Sequence, residues 1–554
     1  MRQRLLGVLV AVLTMVTALV SCGGGGATGA GAPIGNIDIG ALPAQQLRDG
    51  GTFRWALDLL PVNFNYNHVD GAELNNNRVV FSAIPRLWLA QPDGTVKMNE
   101  HYLTSATLDS TNPQVVTYTL RAEATWSDGT PMTWQDFRVQ WQALSGSNKE
   151  FQIASNTGYK DIASVERGTS DKQAVVTFAT PFADWQTIFD PLYPASTNTN
   201  PEVFNQGWKQ GFPLTAGPFK VGQIDRTAKT ITMVRDEKWW GTKPRLDQII
   251  FLAIPRVSQF DSLANKETDY VNVGSDVNAY TRALSTPGVT VRKARAPIYT
   301  HITFNGRPGA ILADQQLRIA IQKGINREAI TRALIGQIIP GSKPLGNHIY
   351  VEGAAGYQDN SQVVAYNPAE ASQMLDSLGW TRQGQGIRSK NGKELVLRNL
   401  IQAQNPASDQ VARQVQQFLG AIGVKVDIIP APQSDFFEKH ITPAAFDIAV
   451  FAWNSVPFPV TTSSSIYSTR EDIQQNYGGI GNDTINKLYV QASGEFDPAR
   501  KIQLGNQIDQ EIWRTGHSLV LYQRPDVWGV RTGMANIGAL GISDPIYTDI
   551  GFVQ

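Results

Sequence analysis

A solitary cysteine can be acylated or oxidised, but it cannot close a disulfide within its own chain or share a metal with a second thiolate, and Cys22 is the only cysteine in these 554 residues. The six histidines are scattered without metal-ligand spacing. Thr461-Thr462-Ser463-Ser464-Ser465 offers hydroxyls, yet neither a Gly-x-Ser-x-Gly elbow nor a Ser-x-x-Lys stands there, and a hydroxyl nucleophile needs an adjacent base. Gly23 to Gly26 lacks both the preceding strand and the following Gly-Lys-Ser/Thr of a phosphate cradle. No catalytic residue, metal or cofactor is therefore assigned, and the chain is not expected to be an enzyme. With 48 basic and 48 acidic residues and no basic stripe, a nucleic-acid partner is excluded as well.

The surroundings of Cys22 give it a role. Arg2 and Arg4 precede an apolar run from Leu5 to Val20 that only Thr14 and Thr17 interrupt, the pattern of a signal peptide. The run is shorter than the roughly 20 residues of a spanning helix, and glycines follow it instead of a stop-transfer cluster. Leu19-Val20-Ser21-Cys22 resembles the bacterial lipobox, whose cysteine is acylated and becomes the first mature residue. Cys22 is thus the expected lipidation site. Each buried CH₂ of an acyl chain contributes about 0.8 kcal/mol, enough for two or more chains to tether the protein to the extracytoplasmic face of the cell membrane. Residues 1–22 are read as signal and lipobox, and 23–49, opening Gly-Gly-Gly-Gly-Ala-Thr-Gly, as a flexible linker.

About 500 residues remain, enough for two or three domains that are stable outside the cell without disulfides. Their 13 Trp, 16 Tyr and 22 Phe exceed what simple cores require and suit a large closing cleft. Strands and capped helices alternate irregularly, which predicts an α/β protein without a repeat. Val115 to Leu120 has strand composition, and Asp128-Gly129-Thr130-Pro131 supplies a turn. Thr133 and Asp136 form a capping box for a helix that places Trp134, Phe137, Trp141 and Leu144 on one face. Asn367-Pro368-Ala369-Glu370 opens a helix stopped by Gly379, with Ala371, Met374, Leu375 and Leu378 as an apolar stripe against a sheet. Asp497-Pro498 opens another, carrying Leu504, Ile508 and Ile512; Ala421-Ile422-Gly423 ends a helix before the strand Val424 to Ile428.

Several segments, in order across nearly the whole mature chain, resemble the family 5 bacterial extracellular solute-binding proteins that serve peptide and nickel importers. They are Gly50-Gly51-Thr52-Phe53-Arg54; Tyr118 to Arg121 with Trp126 to Thr133 and Asp136-Phe137; Thr215-Ala216-Gly217-Pro218-Phe219-Lys220; Trp239-Trp240-Gly241 with Pro244 and Leu246-Asp247; Phe304-Asn305 with Leu317 to Ala320 and Ile325 to Glu328; and Tyr366-Asn367-Pro368 through Trp380. The resemblance implies a two-lobed periplasmic-binding-protein-like fold, type II, cluster C, with an extra subdomain in the first lobe. The first lobe is expected to be discontinuous, 50–75, 205–300 and 525–554, with the inserted subdomain at 76–204 and the second lobe at 301–524. It further implies a monomeric, lipid-anchored component of an ABC importer, closing on a peptide or peptide-sized neutral solute and presenting itself to a membrane-embedded permease.

Peptide binders of the family place an aspartate three residues after a tryptophan, where it pairs with the ligand's ammonium. Here Trp453-Asn454-Ser455-Val456 puts valine at that position. Either another carboxylate such as Asp447 or Asp472 substitutes, or the ligand carries no ammonium there; removal of all charge favours the second. Trp453 and Asn454 then become a stacking surface and a hydrogen-bonding group for the ligand. The amide-rich stretch Asn63 to His68 with Asn75-Asn76-Asn77 is a second candidate wall, Tyr66 and His68 being best suited by reach and chemistry. The alternative implied by the same resemblance is a lipoprotein of the LpqW type, acting in cell-envelope glycolipid metabolism without import.

Overall fold

The computed structural model describes residues 34–470 and 475–554, so the signal segment, Cys22 and Asp472 lie outside the described residues. Ten strands form one large sheet, in the spatial order Lys425–Ala431, Val396–Gln402, Ile448–Asn454, Val289–Phe304, Ser518–Arg531, Tyr270–Asn272, Thr52–Leu57, Gln248–Ala253, Thr230–Arg235, Phe219–Asp225. Pairing is mixed. Thr52–Leu57 runs parallel to both of its neighbours, as does Val396–Gln402, whereas the central pair Val289–Phe304 and Ser518–Arg531 is antiparallel.

That central pair joins two separate cores. One collects Phe53, Trp55, Ile249, Phe251, Ala294 and Trp528. The other collects Tyr299, Ile302, Phe304, Val450, Leu519 and Tyr522 together with the helices packed around them. Each crossing strand therefore starts in one core and finishes in the other. Their ladder is regular from Val289 to Arg295, breaks, and resumes at Tyr299. Pro297 falls in the break and Pro525 faces Arg295 at its edge; neither proline can donate to a ladder, so an interruption here follows from the sequence.

A third core belongs to a four-stranded antiparallel sheet, Leu103–Thr111, Gln114–Leu120, Gln173–Phe178 and Ile162–Arg167, covered by the helix Trp134–Leu144. Thr133 caps that helix with Asp136 in a capping box, Asp136 accepting from Thr133 N at 2.8 Å. Phe137 and Leu144 are buried, and Trp134 and Trp141 pack half-buried on the same core. Gly217 lies so close to the first core that a Cβ there would meet Ala83 Cα at 2.6 Å, which excludes any side chain at this turn.

The other capped helices form as their sequences dictate. Asn367 accepts from Glu370 N at 3.1 Å with Pro368 in the first turn, and Asp497 accepts from Ala499 N at 2.8 Å ahead of Pro498. The helix Pro368–Ser377 packs mainly on the helix Gln315–Lys323, and its stripe of Ala371, Met374, Leu375 and Leu378 joins the core that also holds the strand residues Leu397 and Val450. The stretch 34–49 departs from expectation. It is not a free spacer, because Asp38 N donates to Ala539 O at 2.8 Å, Arg292 pairs with Asp38 at 3.0 Å and Leu47 is buried beside the C-terminal strand. Those partners are 250 to 500 residues away in sequence, beyond the reach of local pattern reading.

Three histidines are sealed inside the second core: His301, His348 and His517. His348 Nδ1 lies 2.8 Å from Asp509, whereas His517 meets Asn476, Ser518, the Ile466 backbone and the edge of the Tyr467 ring. Burial, then the neighbouring His348, pushes His517 down to about 3. It is therefore neutral in the fold while the unfolded chain protonates below pH 6.5, so stability is complete above that pH and is lost as pH falls. At pH 5 the cost from His517 is about 2 kcal/mol. His517→Gln is expected to lose less thermal stability than the parent between pH 7.5 and pH 5; parallel pH profiles of the two proteins would refute a role for this residue.

Candidate ligand cleft

The strand Ile448–Asn454 rises out of the second core. Its first four residues are buried, Ala452 and Trp453 are half-buried, and Asn454 is exposed. Trp453 stacks on Tyr477 (centroids 6.0 Å, planes 3° apart) and on His301 (5.9 Å, 13°), with Phe451 at its edge. It is thus part of an aromatic ladder. Asn454 lies opposite Ile298, and the next residue, Ser455, donates its N–H to Pro297 O at 2.5 Å, which ties the strand exit to the break between the crossing strands. Val456 and Pro457 follow half-buried, and Phe458 takes a left-handed backbone (φ 64°) before the helix Pro459–Tyr467.

Asp447 does not substitute for the missing aspartate. It sits at the other end of the strand, roughly 20 Å from Asn454, where it binds Arg398 through two side-chain contacts of 3.1 and 3.2 Å and accepts from Arg398 N at 2.8 Å.

The amide-rich stretch near the first core is closed on itself. Asn63 donates to Asn205 O, Asn65 to Phe204 O, and Asn76 to both Asn63 O and Gly71 O at 2.9 and 2.7 Å. His68 is fully buried, its Nε2 3.1 Å from Gln152 and its Nδ1 accepting from Asp70 N at 3.0 Å; burial holds its pKa below the ordinary imidazole value. Its ring therefore serves the loop and faces no solvent. Tyr66 remains half-buried, edge-on to Phe81 at 5.2 Å.

Sequence reasoning missed the charged residues between the cores. On the strand Ser518–Arg531, alternate side chains Tyr522, Arg524, Asp526 and Trp528 share one face, and the pairings of Ile298 with Asn454 and Thr300 with Tyr522 put Asn454 on it too. Arg524 Nε donates to Thr300 Oγ1 at 3.0 Å. Asp526 accepts from Trp528 Nε1 at 2.6 Å and from Gly541 N at 3.0 Å, and burial pushes its carboxyl up to about 6. The available signal was Arg524-Pro525-Asp526, two charges around a proline inside an otherwise apolar strand.

The chain matches the family described as bacterial extracellular solute-binding proteins, family 5 middle, over residues 98–475. It belongs to that family. The oligopeptide-binding protein OppA of Mycobacterium tuberculosis (strain H37Rv) is 43% identical over 521 residues, 93% of this chain and 87% of that protein. A probable monoacyl phosphatidylinositol tetramannoside-binding protein, LpqW, of the same organism is 26% identical over 383 residues, 64% of this chain and 60% of that protein. Among solved structures, a periplasmic EDTA-binding protein, EppA, superimposes with a TM-score of 0.86 at 23% identity, covering 95% of this chain and 99% of that one. The fold of this family 5 protein is accordingly the two-lobed binding-protein fold, and its setting is extracytoplasmic.

Two regions distant in sequence also meet directly. Ala183 N donates to Ser493 O at 2.9 Å, and Lys501, on the helix Pro498–Thr515, pairs with the buried Asp184. A cavity of about 250 Å³ lies apart from these contacts, between Phe81, Met98, Tyr102, Trp239 and Tyr547. Removing one partner of a buried pair costs roughly 3–5 kcal/mol because the other charge is stranded. Lys501→Met should therefore lower the thermal midpoint and enlarge the radius of gyration by small-angle scattering, and adding Asp184→Asn should recover most of both. Unaltered stability and dimensions in Lys501→Met would mean that the pair does not hold the two regions together.

Proposed function

We propose that this family 5 protein is the lipid-anchored, oligopeptide-binding component of an ABC importer, handing its ligand to a membrane permease. The observation that carries this reading is 43% identity with an oligopeptide-binding protein across 93% of the chain, an extent that includes both lobes. The LpqW likeness, lower and confined to 64% of the chain, supports a glycolipid role less well. In this reading the chain acts as a monomer without catalysis, Cys22 carries the acyl chains, and residues 50–75, 205–300 and 525–554 make the first lobe around an inserted 76–204, with 301–524 as the second.

Trp453 and Asn454 line the cleft from the second lobe, and Tyr66 is the first-lobe candidate that retains exposed surface. Binding works by closure: a ligand touching both lobes favours the closed state by the contacts it makes only there. Fold alone does not choose the ligand, since the same architecture serves an EDTA-binding protein.

Native mass spectrometry of the gently purified protein tests the reading. Co-purified peptides are expected; a glycolipid in their place would favour the LpqW-like role. Val456→Asp provides a second test, because a carboxylate at the strand exit should tighten binding of peptides with a free amino group about tenfold, the value of one charge-assisted hydrogen bond. Calorimetry showing equal affinity in the variant and the parent would place the peptide's amino end elsewhere.

A further inference from the structure

Several arginines of this chain that are withdrawn from water are capped by protein acceptors. Arg86 binds Asp190 and Asp544, Arg388 binds Asp376 and Trp380 O, Arg318 binds Thr515 O and Leu312 O, and Arg327 binds Leu345 O and Val520 O. Arg78 and Arg524 differ. Both are half-buried, and among the described residues neither has a carboxylate within 4.0 Å or a protein acceptor on its terminal nitrogens.

Their positions connect them. The Arg78 guanidinium lies 5.1 Å from the ring centroid of Trp528 and 5.7 Å from that of Trp55, and Trp528 itself stacks flat on Tyr270 at 4.1 Å. Arg524 is on the same strand face as Trp528, four residues away, about 13 Å along the strand. Between them is Asp526, whose two oxygens are already taken by Trp528 Nε1 and Gly541 N. Tyr522 belongs to the second core and Trp528 to the first, so this face is the floor between the lobes. Aromatic faces orient a guanidinium and offset part of its desolvation, but they leave the in-plane N–H groups unsatisfied. Those groups match a carboxylate in a bidentate arrangement.

We propose that Arg524 and Arg78 are the anion-binding residues of the cleft, so that the ligand is selected by its carboxylate groups and not by an ammonium. The inference rests on the solute-binding reading above and goes beyond it by assigning the ligand's charge. Arg524, on the sheet face that also carries Asn454, takes one carboxylate; Arg78, over the Trp528 ring, takes a second group farther along the floor. A peptide therefore enters with its C-terminal carboxylate or an acidic side chain over Arg524.

Calorimetry on the full chain in detergent decides the matter, with four probes: tetraalanine, tetraalanine amide, N-acetyl-tetraalanine and tricarballylate. Amidation is expected to weaken binding at least tenfold and N-acetylation less than threefold. Arg524→Gln should bind acid and amide alike, and Arg524→Lys should retain part of the discrimination. The ligand-side comparison stands on the unaltered protein even where a variant fails to fold. Equal binding of tetraalanine and its amide overturns the proposal and leaves the peptide reading intact. Binding of tricarballylate alone, lost in Arg524→Gln, supports the proposal and removes the peptide reading. Failure of all four probes overturns both.

Discussion

Everything in this molecule that concerns a ligand depends on two antiparallel strands, Val289–Phe304 and Ser518–Arg531, that run out of one hydrophobic core and into another. Each end of the pair is fixed by apolar burial, whereas the middle has prolines on both strands and a broken ladder. A sheet interrupted at that point keeps two rigid bodies connected without making them one. The middle of the strand Ser518–Arg531 carries Arg524 and Asp526, both half-buried, between residues of the two cores.

Polar groups divide accordingly. Several of those within a core are satisfied in place: His348 by Asp509, Asp447 by Arg398, and the amide N–H groups of Asn63 and Asn76 by backbone carbonyls. Such groups stabilise one arrangement of the loop or strand that bears them, and a ligand would have to break those bonds to use them. Between the cores, Arg78 is oriented by the Trp55 and Trp528 rings and Arg524 by one hydrogen bond to Thr300.

The same logic accounts for a fold shared by proteins with unlike ligands. EppA and this chain superimpose at a TM-score of 0.86 with 23% identity, so the cores and crossing strands tolerate extensive substitution.

Local chemistry was legible in the sequence. The capping box at Thr133 and Asp136, the Asn367-Pro368 and Asp497-Pro498 starts, the Asp128-Gly129 turn and the strand near Val115 all depend on neighbours within a few residues, and the structure shows each. The ordered family motifs likewise identified the fold, because they record many such local requirements at once. What the sequence could not determine was which distant groups meet. Residues 34–49 looked like spacer because their partners lie near the C-terminus, His68 looked available because the asparagines that seal it are drawn in from 76 and 205, and Asp447 looked free because Arg398 is on a neighbouring strand. Tertiary structure alone decided these points, since satisfaction of a buried charge or amide is a property of the space around it and not of its position along the chain.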